Sequence, residues 1–385
     1  MPPSESVRIR FDRNELAGAF GDMGTDIPLL IAVTLAAGLD GTSVLVMFGC
    51  MQVLTGLVHR MPMPVQPLKA MAAIVIAQQV APGTLYGAGL VAGIIMLLLT
   101  VTGLLERLAR IIPKSVVRGI QFGLGLQLAS IALSRFIPVD GFRGYVLAGV
   151  AFLISILLLG NRRYPAALFV VVVGLAYALV FNLNGSDLAA SVSFRLPILH
   201  VPSWADMATG FLVLALPQIP LSLGNSVLAT KQLAGDLFPE RKLTIRKIGW
   251  TYAAMNLINP WFGGIPTCHG SGGMAGHYTF GGRTGGSVVI YGSMFIFLGL
   301  FFGLGFQHIA GAFPLPMLGV ILLFEALALI WVIRDTVSVR SEFPITILVG
   351  LLAVGLPYGY LIGLVVGTVL AHARSHTRLV SPDLP

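Results

Sequence analysis

The chain is a succession of apolar stretches at near-regular spacing, with its basic residues standing almost entirely between them. Few folds accept such a pattern. In hydrocarbon every backbone amide must find its partner within the fold, which only helices and closed barrels allow. The stretches lie at 14–38, 43–59, 66–80, 84–106, 113–134, 144–160, 164–183, 207–230, 245–261, 268–280, 284–307, 314–333, 343–356 and 357–373. Most approach the ~20 residues that carry a helix across a ~30 Å hydrocarbon core, so the expected fold is an all-α, polytopic membrane protein. Composition agrees, since 10% of the 385 residues are charged against ~25% in a soluble domain. The net charge of +8 does not point to nucleic acid, because the basic residues form no continuous patch. Cys50 and Cys268 sit in apolar surroundings, which argues against a disulfide framework. Residues 1–13 are polar and lack the apolar core of a secretory signal.

Charge placement tests the count of fourteen segments, since Lys and Arg collect on the cytoplasmic side. With the N-terminus cytoplasmic and every segment crossing, 20 of the 24 basic residues fall inside. They are Arg8, Arg10, Arg13, Arg60, Arg107, Arg110, Lys114, Arg118, Arg162, Arg163, Lys231, Arg241, Lys242, Arg246, Lys247, Arg283, Arg334, Arg340, Arg374 and Arg378. Only Arg135, Arg143 and Arg195 fall outside, and Lys69 lies within a segment. The expected topology therefore has both termini in the cytoplasm.

Seven segments followed by seven more gives two halves of opposite orientation. Pro64 and Pro266 are 202 residues apart, and Pro113 is followed by Pro314 or Pro316 after 201 or 203. Such weak internal symmetry is the mark of transporters built from inverted repeats. Pro62, Pro64 and Pro67 forbid continuous helix in the third segment. The expectation is an extended piece to the midplane and then a half-helix beginning near Pro67. Its partner in the tenth segment, Gly-rich over 263–273, should begin a half-helix near His269. Inversion makes the two helix N-termini face one another. Ordinary kinked or re-entrant helices are the alternative.

Intramembrane ionisable groups are few: Asp22, Asp26, Lys69, Glu325, and the histidines His269 and His277. Each is costly there and so a functional candidate. Lys69 sits in the first turn of the first half-helix, the wrong sign for the helix dipole, so an anion should compensate it. Two helix ends of roughly +0.5 each with one ammonium make about +2, matched to a dianion. The rival reading pairs Lys69 with Asp22 or Asp26 alone. Those two carboxylates share a helical face in a Gly-rich stretch broken by Pro28. One is expected to pair with Lys69 and the other to take up a proton, because burial favours the neutral acid. In the eighth segment Gln218, Ser222, Asn225 and Ser226 supply neutral donors, loosened by Pro217 and Pro220. With Thr25, Gln66, Thr267 and Ser271 they can ring an anion, although such residues also serve as glue between helices. Glu325 has no matching cation in sequence. Cys268 and His269 are too few for a metal site, and no cofactor is expected.

Residues 18–28, 62–70, 112–121, 216–226 and 266–277 together resemble the molybdate-transporter branch of the sulfate permease superfamily, over about residues 14–375. The resemblance implies the seven-plus-seven fold shared with uracil permease and bicarbonate transporters. Segments 1–4 (14–110) and 8–11 (207–308) would form a core, segments 5–7 (111–206) and 12–14 (309–375) a gate. Residues 1–13 and 376–385 would be a cytoplasmic segment and a short tail. Substrate would lie between half-helices 3 and 10, with the core moving against the gate like an elevator. Mapped onto this chain, the implied binding residues are Thr25, Gln66, Lys69, Gln218, Ser222, Asn225, Thr267, Cys268, His269, Gly270 and Ser271. Asp22 and Asp26 are the proton-coupling or ion-pair candidates. Sulfate permeases typically end in a cytoplasmic regulatory domain, which the short tail here does not offer; that favours the molybdate branch.

The expected function is secondary import of an oxyanion across the inner membrane, molybdate first, with tungstate or sulfate as related cargo. A sulfate transporter is the first alternative, a nucleobase transporter the second, an anion channel the third. A nucleobase site is disfavoured because neither the eighth nor the tenth segment carries an acid for a heterocycle's N–H groups. An enzyme would need a nucleophile–base pair or a metal cluster, and the sequence offers neither. Membrane lipid and a second copy of the chain are the expected partners, and nucleic acid is not one.

Overall fold

The computed structural model describes residues 8–159, 166–182, 192–339 and 342–376. Arg162, Arg163, Arg340 and Arg378 of the charge count lie outside the described residues, as do positions 1–7 and the tail from 377. The chain is mostly helical, and among the described residues seven helices are long and apolar enough to cross a membrane.

The first segment is α1 (Arg13–Ala19) and α2 (Met23–Ala37). Asp12 caps α1 by accepting from the amides of Asn14 and Glu15. The break falls at residues 20–22, not at Pro28, which stands inside α2. Packing explains the difference: a Cβ on Gly18 or Gly21 would overlap backbone at Gly282 and Gly276. The chain turns where two glycines let it press against residues 276–282.

Helix α3 (Gly41–His59), capped by Asp40, leads to strand β1 (Val65–Pro67) and α4 (Lys69–Gln78). Then come α5 (Pro82–Val101), α6 (Leu104–Ile111), α7 (Lys114–Ile131), α8 (Gly141–Leu157) and α9 (Ala166–Tyr177). Helix α10 (Trp204–Leu237) is one long run with π-helical turns at Phe211–Ala215 and Ser222–Ala229. Pro217 and Pro220 stay inside it; a wider π turn lets a later amide serve a carbonyl that proline leaves without its donor. Helix α11 (Ile245–Ile258) precedes strand β2 (Thr267–His269) and α12 (Ser271–Thr279). The chain closes with α13 (Gly286–Ala312), α14 (Leu315–Trp331), α15 (Phe343–Gly355) and α16 (Gly359–His376).

Two packing groups stand out. Helix α3 lies along α13, and α5 along α11 and the start of α10, while α7 lies along α14 and α15, and α8 along α14. Glycines set the closest approach: a Cβ on Gly49 or Gly285 would overlap the carbonyls of Gly292 and Gly56, the small-residue contact typical of membrane helices. Buried Glu15 accepts from the amides of Arg283, Thr284 and Ser287 and so caps α13.

At the centre, β1 and β2 pair antiparallel with Gln66 opposite Cys268. Leu68 N donates to Pro266 O at 3.0 Å and Gly270 N to Pro64 O at 3.4 Å. These bonds hold both chains extended for two residues beyond the helix starts expected near Pro67 and His269, so the helices begin at Lys69 and Ser271. These first residues are again 202 apart, the spacing of Pro64 and Pro266. Each strand's outer edge is closed by one amide side chain. Gln52 donates to Val65 O at 2.7 Å and accepts from Val65 N at 2.8 Å. Asn256 does the same for Thr267, at 2.7 and 3.0 Å. Both side chains are fully buried and stand in for a third strand.

Candidate functional site

Helices α4 and α12 present their N-termini to one cavity of about 60 Å³ below the crossing of β1 and β2. It is lined by Gln66, Lys69, Gln218, Asn225, Cys268, His269, Gly270 and Ser271 of the expected residues. Leu221, Ser226 and Gly272 complete the wall. Volume near 60 Å³ is room for about two waters at ~30 Å³ each, and far below the ~300 Å³ at which sites for larger organic ligands begin.

The two helix ends are not equivalent. At α4 the amides of Ala70 and Met71 donate to Gln218 Oε1 at 2.9 and 3.3 Å. Gln218 in turn donates to Ser222, whose hydroxyl meets Tyr252 at 2.8 Å. At α12 the amides of Ser271, Gly272 and Gly273 meet no acceptor among the described residues. The amides of Ser271 and Gly272 at the cavity wall, at the positive end of a nine-residue helix, make this the more open of the two helix ends toward a negative group. Glycine at 270 is required by space: a Cβ there would overlap the side chain of Gln66.

Expected residues Ser222, Thr267 and Thr25 stand off this cavity. Ser222 acts behind Gln218, and Thr267 is engaged through Asn256 and Asn259. Thr25 lines a second small cavity, about 20 Å³, with Pro28, Lys69 and Glu325. Lys69 therefore faces two ways, and Glu325, unmatched in sequence, has a cation across that gap. Neither Asp22 nor Asp26 forms the expected ion pair with Lys69. Gln66 donates to both oxygens of Asp22 at 2.8 and 2.9 Å, and Tyr291 donates to Asp26 Oδ2 at 3.0 Å. Asp22 lies against the first turn of α12, where a Cβ on Gly273 would overlap its Oδ2. That position answers the helix dipole, which draws this carboxylate away from Lys69.

The sequence did not single out His59 and Thr251, which with the expected His269 form a buried chain of three groups. Thr251 Oγ1 lies 3.0 Å from His59 Nε2 and 2.6 Å from His269 Nε2, so the ring that reaches the cavity is held from α11. The only hint in sequence is a histidine at the end of an apolar span. Ser226 was visible among the polar residues of the eighth segment. Together the groups form a small, partly open pocket with one ammonium, open helix amides and neutral donors, an arrangement suited to a small anion.

The profile of a family described as "Molybdate transporter of MFS superfamily" matches residues 14–128 and 210–329. Molybdate transporter 2 of Arabidopsis thaliana is 35% identical over 378 residues, covering 86% of this chain and 81% of that protein. Molybdate transporter 1 of Chlamydomonas reinhardtii is 29% identical, over 91% of this chain and 90% of that one. Among solved structures, the transmembrane domain of a cyanobacterial bicarbonate transporter, BicA, superposes with a TM-score of 0.69 at 17% identity, covering 95% of this chain and 98% of that one. The murine Slc26a9 anion transporter, in its inward-facing state, superposes with a TM-score of 0.72 at 13% identity, covering 94% and 68%.

Proposed function

We propose, from the premise that this chain belongs to the molybdate transporter family, that it carries molybdate through a membrane as a secondary transporter. The observation that carries the reading is the cavity between the α4 and α12 N-termini, with Lys69 at one end and free amides at the other. A tetrahedral dianion suits both its size and its sign. In this reading Lys69 and the amides of Ser271 and Gly272 take the charge, while Gln66, Asn225, Ser226 and His269 fix orientation. Gln218, Ser222 and Thr267 shape the site from behind, Cys268 and Gly270 form its floor, and Thr25 borders Lys69.

Fourteen crossings, with β1–α4 and β2–α12 as half-helical ones, are supported by the helix inventory. Among the described residues there are, beyond the seven long spans, five shorter apolar helices, with α11 and α12 besides. Contacts between loops agree with this topology. Arg10 N meets Thr284, and Arg241 meets Arg60 O, at one end; Ile198 N meets Ser43, and His200 N meets Trp261 O, at the other. We assign the first end to the cytoplasm of a plasma (inner) membrane. The two packing groups support a core of 14–110 and 207–308 moving against a gate of 111–206 and 309–375.

Labelled molybdate should enter proteoliposomes holding the purified chain, with tungstate competing strongly, sulfate weakly and uracil not at all. Absence of uptake, or competition by uracil, would reject the reading. Proton coupling rests on Asp26, whose Oδ1 is buried without a partner at a place a proton can fill. Uptake is expected to rise as external pH falls, and Asp26→Asn should flatten that profile; an unchanged profile in the variant would remove Asp26 from the coupling.

A further inference from the structure

Glu325 stands midway along α14, half-buried, and makes no hydrogen bond or ion pair within the distances of such contacts among the described residues. It shares the 20 Å³ cavity with half-buried Lys69, which also lines the anion cavity. Other charged groups on the helices around α14 are engaged elsewhere. On α2, Asp22 and Asp26 are held by Gln66 and Tyr291. On α7, Lys114 and Arg118 bind Asp335 at 2.9 and 2.7 Å. Just past α7, Arg135 reaches the carbonyl of Ala77, and on α8 Arg143 is exposed. A lysine and a glutamate that make no hydrogen bond or ion pair among the described residues thus share one gap, from α4 and α14, two helices assigned above to core and gate, while Asp22 and Asp26 act on Lys69 only through space.

We infer that Glu325 is the counter-ion that Lys69 takes when the anion cavity is empty, and that an arriving dianion displaces it. The inference rests on the transport reading. A charge stranded in a low-dielectric interior is strongly unfavourable, whereas a compensated one is tolerated. With the cavity empty, the ammonium is neutralised by the carboxylate across the gap. With the cavity filled, the anion does so, and Glu325 is released from Lys69. The carrier therefore has a compensated Lys69 both loaded and empty, and the empty form can return across the membrane. Net uptake passes through that empty form in every cycle; exchange of one molybdate for another does not.

Two measurements test this. In proteoliposomes, Glu325→Gln should lower net molybdate uptake by about tenfold or more, a modest share of what stranding a buried charge costs, while molybdate self-exchange stays close to that of the parent. In anion-free detergent, Lys69→Met and Glu325→Gln should each lower the melting temperature, and the double variant should melt no lower than the worse single one, as for interacting partners. Additive losses in the melting cycle would overturn the pairing. So would equal slowing of exchange and net uptake, or no effect on either. A parent protein that moves no molybdate would defeat the transport reading, and the melting cycle would still decide the pair.

Discussion

Molybdate uptake is expected to fall more than about 100-fold when Lys69 is replaced by methionine, with the protein still folded and inserted. Methionine keeps the length and apolar character of the stem, so the change removes charge and little else. Of the 24 basic residues it is the one that the charge count leaves on neither side of the membrane, and it is the first residue of α4, at the wall of the cavity between the two helix N-termini. The α4 amides next to it are already occupied by Gln218, so that end of the site has little but the ammonium to offer. A factor of 100 corresponds to about 2.8 kcal/mol, within the ~1.5–3 kcal/mol of a hydrogen bond to a charged group. Equilibrium binding of labelled molybdate and proteoliposome uptake both read the effect. Near-normal transport by the variant would displace the site from this cavity, even with family membership intact.

A loss of stability of about 2–6 kcal/mol is expected for Gln52→Leu, from two buried backbone groups left without partners at ~1–3 kcal/mol each. The side chain of Gln52 both donates to and accepts from Val65, and leucine of similar bulk can do neither. With so short a strand pair there is no third strand to take over. Asn256→Leu should act alike through Thr267. Yield of monodisperse protein and thermal unfolding in detergent report the change. Melting equal to that of the parent would mean that water or a shifted backbone satisfies Val65.

Much of this was legible from the residues. Prolines at 62, 64 and 67 and the glycines of 263–273 marked the two places where helix could not persist, because a missing amide or a missing Cβ acts locally. The 202-residue echo of Pro64 in Pro266 foretold two matching strand-to-helix elements. It did not foretell the two-residue extension of each strand, which arises from bonds between halves far apart in the chain. Pro28 misled, since the interruption of the first span follows the close approach of Gly21 to Gly276 and not the proline beside it.

By itself the sequence determined a mostly helical membrane chain, with a lysine beside the prolines that interrupt its third apolar stretch. Periodicity, proline and charge are local properties, and a bilayer penalises each misplaced charge wherever it falls. Only the tertiary structure decided which carboxylates are bound by other side chains and which one is left unbound beside that lysine. Asp22 and Asp26, favoured by position, are held by Gln66 and Tyr291, while Glu325, more than 250 residues away, comes to the gap beside Lys69. Proximity in space is set by the packing of helices and not by spacing along the chain.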